Sequence, residues 1–136
     1  MKTKLLIATL LLVFSFVATA QKKLNFDGYY RTLSDSLNPF SFYLRFYPDG
    51  TVIGTSTAAN ANNLIPWFKK DHQEVSKGSY NLRDSTIKFS LTAKEGLVQY
   101  EGILIPGNRL WLHVKSLINN YEGKEEYFFL KMNGLK

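Results

Sequence analysis

Phe40-Ser41-Phe42-Tyr43-Leu44-Arg45-Phe46-Tyr47-Pro48-Asp49-Gly50-Thr51-Val52-Ile53 reads as two β-strands joined by a tight turn. Phe40, Phe42, Leu44 and Phe46 alternate with Ser41, Tyr43, Arg45 and Tyr47, the period of two that marks a strand with one face buried. Pro48 presets φ, Asp49 is able to bond the backbone beyond it, and Gly50 accepts a positive φ. A three-residue loop then sets Tyr47 opposite Thr51, Phe46 opposite Val52 and Leu44 opposite Gly54 on the inner side. A glycine at 54 leaves room for a bulky neighbour and lets the strand bend.

The same hairpin logic continues towards the C-terminus. With Asp84-Ser85 as a two-residue loop, Leu82 faces Ile87, Tyr80 faces Phe89 and Gly78 faces Leu91, while Asn81 and Lys88 share the other face. The turn at Ala93-Lys94-Glu95-Gly96 sets Leu91 against Val98, Phe89 against Tyr100, and Lys88 opposite Glu101, a cross-strand pair worth about 0.2–1 kcal/mol. At Pro106-Gly107-Asn108 a two-residue loop would place Glu101 beside Leu112. A three-residue loop with Asn108 left-handed pairs Leu104 with Leu110, Gly102 with Leu112, Tyr100 with Val114, Glu101 with His113 and Ile103 with Trp111. Binary pattern favours the second register.

Towards the N-terminus, Phe26-Asp27-Gly28-Tyr29-Tyr30-Arg31-Thr32-Leu33 reads as a first strand. Residues 58–74 break the pattern with a turn-rich run and the apolar cluster Leu64-Ile65-Pro66-Trp67-Phe68; a connection this long in a compact domain has a function or its own packing. The last strand, Glu125-Glu126-Tyr127-Phe128-Phe129-Leu130-Lys131, is apolar on both faces and is expected to be buried between neighbours. Its turn falls at Asn119-Asn120 or at Glu122-Gly123. The expected fold is all-β: an eight-stranded antiparallel up-and-down barrel with a long loop between the third and fourth strands. Closure abolishes the sheet edges, and eight strands leave an interior filled by side chains or holding one small ligand.

Residues 1–20 read as a signal peptide. Lys2 and Lys4 precede an apolar run over residues 5–17, and Ala18-Thr19-Ala20 is a small-x-small cleavage site. The run is shorter than the roughly 20 residues that span a bilayer. Cleavage after Ala20 leaves a barrel domain at 21–136 that is exported, periplasmic or secreted, with no stable membrane anchor. The chain holds no cysteine, which excludes an N-terminal lipid-modified cysteine, a disulfide framework, thiol catalysis and cysteine-ligated metals. The leader carries two of the 17 basic residues, leaving 15 against 11 acidic ones, a formal +4. The lysines are scattered rather than gathered on one face, unlike those of a nucleic-acid binder.

Tyr43-Leu44-Arg45-Phe46-Tyr47-Pro48-Asp49-Gly50-Thr51-Val52, followed by Ile65-Pro66 and Gly78-Ser79-Tyr80-Asn81-Leu82, resembles the β-rich C-terminal domain of certain eukaryotic F-box proteins. It is also similar to the lipocalin-like (calycin) domains of exported bacterial proteins. Gly28-Tyr29-Tyr30 stands where lipocalins carry Gly-x-Trp on the first strand. The resemblance covers about a third of the chain and implies an up-and-down barrel of a kind that binds small apolar molecules. It implies no catalytic residues.

No Gly-x-Ser-x-Gly, His-Glu-x-x-His, phosphate-binding glycine loop or acidic calcium loop is present, so neither an enzyme, a cofactor nor a metal is expected. Asp71-His72-Gln73-Glu74 lacks a third spaced ligand, and His113 is expected on the polar outer face. The inward set Phe42, Leu44, Phe46, Val52, Tyr80, Leu82, Ile87, Phe89, Val98, Tyr100, Leu104, Leu110, Leu112 and Val114 has two readings. It is a filled core, or it is a partly open pocket oriented by the hydroxyls of Tyr80 and Tyr100. In the pocket reading a small hydrophobic ligand meets Phe42, Leu44, Phe46, Tyr80, Phe89, Tyr100 and Leu112 beneath a lid formed by Trp67 and Phe68. In the other reading the barrel is a filled structural or protein-interaction module. Ile103, Ile105 and Trp111 fall on the outer face, where they either self-associate or lie under the 58–74 segment.

Overall fold

Tight turns between the alternating segments generate eight antiparallel strands: β1 (Gly28–Arg31), β2 (Ser41–Phe46), β3 (Thr51–Thr57), β4 (Ser76–Arg83), β5 (Thr86–Ala93), β6 (Gly96–Ile105), β7 (Arg109–Ser116) and β8 (Glu122–Lys131). This computed structural model describes residues 23–135, so the expected leader at 1–20 lies outside the described residues. Each strand pairs with the next in sequence, and β8 turns back to pair with β1 through Tyr30↔Phe129 and Arg31↔Phe128. The sheet is a closed eight-stranded barrel.

The hairpins take the expected registers. Leu44 lies opposite Gly54 and Phe46 opposite Val52; Tyr80 lies opposite Phe89, Lys88 opposite Glu101 and Ile103 opposite Trp111. At the first of these turns Asp49 Oδ1 accepts from the Thr51 amide at 2.9 Å. At the Pro106-Gly107-Asn108 loop Asn108 is left-handed, with φ 55°. A Cβ at position 54 would sit 2.5 Å from Leu91 Cδ1, so the glycine does make room for a bulky neighbour. The last turn occupies residues 117–121, with Asn120 at φ 59°.

Every member of the inward set except Phe42 lies in or against one buried cluster, joined by Leu24, Tyr30, Leu91, Tyr127 and Phe129. Aromatic rings fill the middle of the barrel. Phe46 meets Tyr30, Tyr80 and Phe89 edge-on at centroid distances of 5.6, 5.3 and 5.5 Å, the geometry that sets the positive edge of one ring against the negative face of another. Leu24 joins this cluster from the segment before β1, and the adjacent Asn25 amide donates to the Tyr30 hydroxyl at 3.0 Å. The end carrying the 48–50, 84–85 and 106–108 turns is the base.

A second core lies outside the barrel wall. Tyr29, Tyr43 and Ile53 point outward from β1, β2 and β3, and residues 58–75 fold over them, burying Leu64, Phe68 and Val75. This corrects the one-face reading of β2: Tyr43 and Arg45 are as buried as Leu44 and Phe46, whereas Phe40 and Phe42 emerge at the far end with 50% and 39% exposure. Arg45 donates through Nη1 to the Phe68 carbonyl at 2.7 Å, and its guanidinium lies 4.7 Å from the Tyr47 ring centroid. A 3-10 turn at Ala61–Leu64, capped by Asn60, shapes the segment. Lys70 anchors its end by an ion pair with Asp49 at 2.8 Å, and that contact with the Thr51 hydrogen bonds holds the Asp49 carboxyl down at about 2. Residues 58–75 thus cover the β1–β3 wall, neither closing the barrel end nor covering Ile103 and Trp111, which stay exposed. The last strand is also less buried than its composition suggests: Tyr127 is enclosed, but Leu130 faces solvent.

Phe68 is fully buried in this outer core. Phe68→Ala is expected to lower unfolding stability by about 3–5 kcal/mol, read from urea denaturation. A loss under 1 kcal/mol would mean that residues 58–75 are not packed on the wall as described.

Candidate functional site

The two ends of the barrel are filled differently. At the base the rings interlock, and Tyr80 donates its hydroxyl to the Tyr47 carbonyl at 2.6 Å. At the opposite end, framed by residues 32–40, 94–95 and 117–121, the inward side chains shrink to Val98, Val114 and Ser116, and a cavity of about 430 Å³ opens to solvent. Phe42, Val98, Tyr100 and Val114 form its apolar walls, with Ile118 and Tyr121 at the rim. An adjoining lobe of about 250 Å³ shares Phe42, Val98, Tyr100 and Ile118 and extends to Leu44, Leu91 and Glu95. Tyr100 forms the floor where the lobes meet, and its ring stacks on Phe89 with centroids 4.6 Å apart and planes 9° from parallel.

One charged group from β8 lines the main cavity. Glu125 follows the inward parity of Tyr127 and accepts at Oε2 from the Tyr127 hydroxyl at 2.7 Å. Its Oε1 accepts from the Tyr121 hydroxyl at 3.4 Å. Tyr121 reaches it by folding back over Gly123: a Cβ at position 123 would sit 2.7 Å from the Tyr121 hydroxyl oxygen. Among the described residues Glu125 has no ion pair and the Tyr100 hydroxyl has no hydrogen-bond partner. Burial pushes the Tyr100 and Tyr127 phenols well above the usual tyrosine range, and burial with the Glu125 charge raises Tyr121. The phenols therefore stay neutral around the carboxylate.

The expected site residues divide into three groups. Phe42, Leu44 and Tyr100 line the mouth. Phe46, Tyr80, Phe89 and Leu112 belong to the packed interior, and the Tyr80 hydroxyl, bound at the base, does not orient a ligand. Trp67 and Phe68 are corrected outright, since they lie in the outer core and not over the mouth. The residues that sequence reasoning missed are Ile118, Tyr121 and Glu125. Alternation counted back from Tyr127 would have found Glu125, but the strand is apolar on both faces and carried no readable parity.

The histidines are accounted for elsewhere. His72 Nδ1 accepts from the Glu74 amide at 3.2 Å and packs on Trp67. His113 is exposed on the outer face, where Nε2 lies 2.9 Å from Glu122 Oε1. Among the described residues, no three His, Cys, Asp or Glu side chains gather as a metal ion would require. No protein-family model, curated protein or solved structure matches the chain.

Six of the eight tyrosines are raised above 10.0, each chiefly by burial. Above pH 10 the unfolded chain loses phenolic protons that the folded chain keeps, so this contribution to stability is intact below pH 10 and falls as pH rises further. The share of the phenolate absorbance at 295 nm that comes from Tyr100 and Tyr127 is expected to appear only with the loss of tertiary structure. Titration of all eight tyrosines in a still-folded barrel would contradict the enclosed placement of Tyr100 and Tyr127.

Proposed function

We propose that this protein is an exported, non-enzymatic, lipocalin-like barrel that holds a small hydrophobic ligand in its open mouth. The observation that carries the reading is the asymmetry of filling. The base and middle are packed with interlocked rings, whereas the mouth is an apolar-walled cavity of about 430 Å³, within the roughly 300–1,000 Å³ typical of small-molecule sites. A filled structural plug has no need of such a space, and an exposed rim of Phe42, Ile118 and Tyr121 gains by covering it with ligand, at about 25 cal/mol per Å² of apolar surface removed from water. The absence of histidine from either lobe and of hydrolase motifs from the chain supports binding over catalysis. The leader pattern at 1–20 supports export.

Val98 lines both lobes, so the larger side chain of Val98→Trp is expected to occupy space in them. The uncharged fluorophore N-phenyl-1-naphthylamine is expected to bind the purified protein, and Val98→Trp to weaken that binding by about tenfold or more, ~1.4 kcal/mol, without unfolding the barrel. Trp67→Ala, remote from the mouth, leaves it unchanged. Failure of the probe to bind, or equal binding by the Val98→Trp protein, removes the reading.

A second reading, an interaction module, is favoured by Ile103 and Trp111, cross-strand neighbours on the outer face with 43% and 41% exposure. Ile105 adjoins them, half-buried. Self-association through this patch predicts a dimer in sedimentation velocity that Trp111→Ala converts to monomer with folding intact. A wild-type monomer at all concentrations would dismiss it.

A further inference from the structure

We propose that the mouth selects an apolar ligand bearing a protonated amine, which Glu125 receives as an ammonium group. The inference rests on the mouth being a ligand cavity and names the chemistry of its occupant. An inward-facing strand position in a barrel of this size is ordinarily apolar, and Glu125 occupies one, half-buried, lining a cavity whose walls are Phe42, Val98, Tyr100 and Val114 and whose other polar lining is uncharged, from Asn38, Ser116 and Asn119. A carboxylate brought partly out of water requires hydrogen bonds or a counter-charge. Tyr121 and Tyr127 supply two hydrogen bonds and fix its orientation, but among the described residues no cation pairs with it. The charged side chains lining the two lobes are Glu125 and Glu95, and neither a lysine nor an arginine is among the described lining residues.

That distribution separates three kinds of apolar ligand. An ammonium placed at Glu125 gains a charge-assisted hydrogen bond inside a site of reduced dielectric. The Tyr100 ring has one face covered by Phe89; its other face offers a second attraction to a cation, and its unpartnered hydroxyl offers an acceptor. A neutral alcohol gains a hydrogen bond alone. A carboxylate meets like charge from Glu125 and Glu95 while losing its own hydration. The formal charge of the domain, +4 over residues 21–136, would at long range favour the anion. A preference for the cation therefore reports the local field of the cavity.

The test is calorimetric titration of the purified protein at pH 7 with octylamine, 1-octanol and octanoate, which share one apolar tail. Octylamine is expected to bind about tenfold or more tighter than octanol, with octanoate weakest. Glu125→Gln is expected to reduce the amine to the level of the alcohol while octanol is unaffected, and Tyr127→Phe, which keeps the charge, to retain the amine preference. Equal binding of octylamine and octanol, or an amine preference that survives in Glu125→Gln, overturns the assignment of Glu125 and leaves the apolar cavity standing. Binding of none of the three overturns both the cavity and the inference. The wild-type ligand series decides the matter by itself if Glu125→Gln does not fold.

Discussion

Closure of the sheet is the constraint on which the rest depends. Once β8 pairs with β1, the interior has a fixed cross-section, and the side chains pointing into it either fill that space or leave a void. Three rings meeting Phe46 edge to face fill the middle, and Leu24 joins them from the segment before β1. Towards the other end several inward positions carry small side chains, Val98, Val114 and Ser116, beside Phe42 and Tyr100, so the packing stops short. The cavity is the direct consequence of where residue volume declines along the strands.

The barrel wall is not uniform either. Strands β1 to β3 present Tyr29, Tyr43 and Ile53 outward, and a wall with apolar side chains on both faces needs a covering layer. Residues 58–75 supply it with Leu64, Phe68 and Val75. This settles the role of the long connection. Its apolar cluster completes an outer core, and because it is committed to the wall it leaves the mouth to the shorter loops at 32–40 and 117–121.

Glu125 is the residue that violates the pattern. Foldable sequences agree with themselves at each level, and the positions that break a local rule are where function is to be sought. Here the break is supported by its surroundings: a glycine two residues earlier admits the Tyr121 ring, and Tyr127 two residues later donates from below. Among the described residues, no other carboxylate is held by two tyrosine hydroxyls in this way; Tyr30 and Tyr80 instead pair their hydroxyls with backbone groups.

The division between what was readable in the chain and what was not follows the turns. Wherever two or three turn residues join a pair of strands, the loop sets the register and one apolar face sets the parity, so Leu44 against Gly54, Phe89 against Tyr100 and Ile103 against Trp111 are consequences of local sequence. The eight-strand count and the identity of most core residues follow with them. Three features lay beyond local reasoning. The register of β8 on β1, Tyr30 against Phe129, has no short turn to set it and depends on the summed twist of all eight strands. The direction taken by residues 58–75 depends on which surface offers the better apolar partner, and composition cannot distinguish a wall from a mouth. The inward placement of Glu125 depends on a strand whose two faces are equally apolar, so that its parity is imposed by neighbours on either side and not by its own alternation.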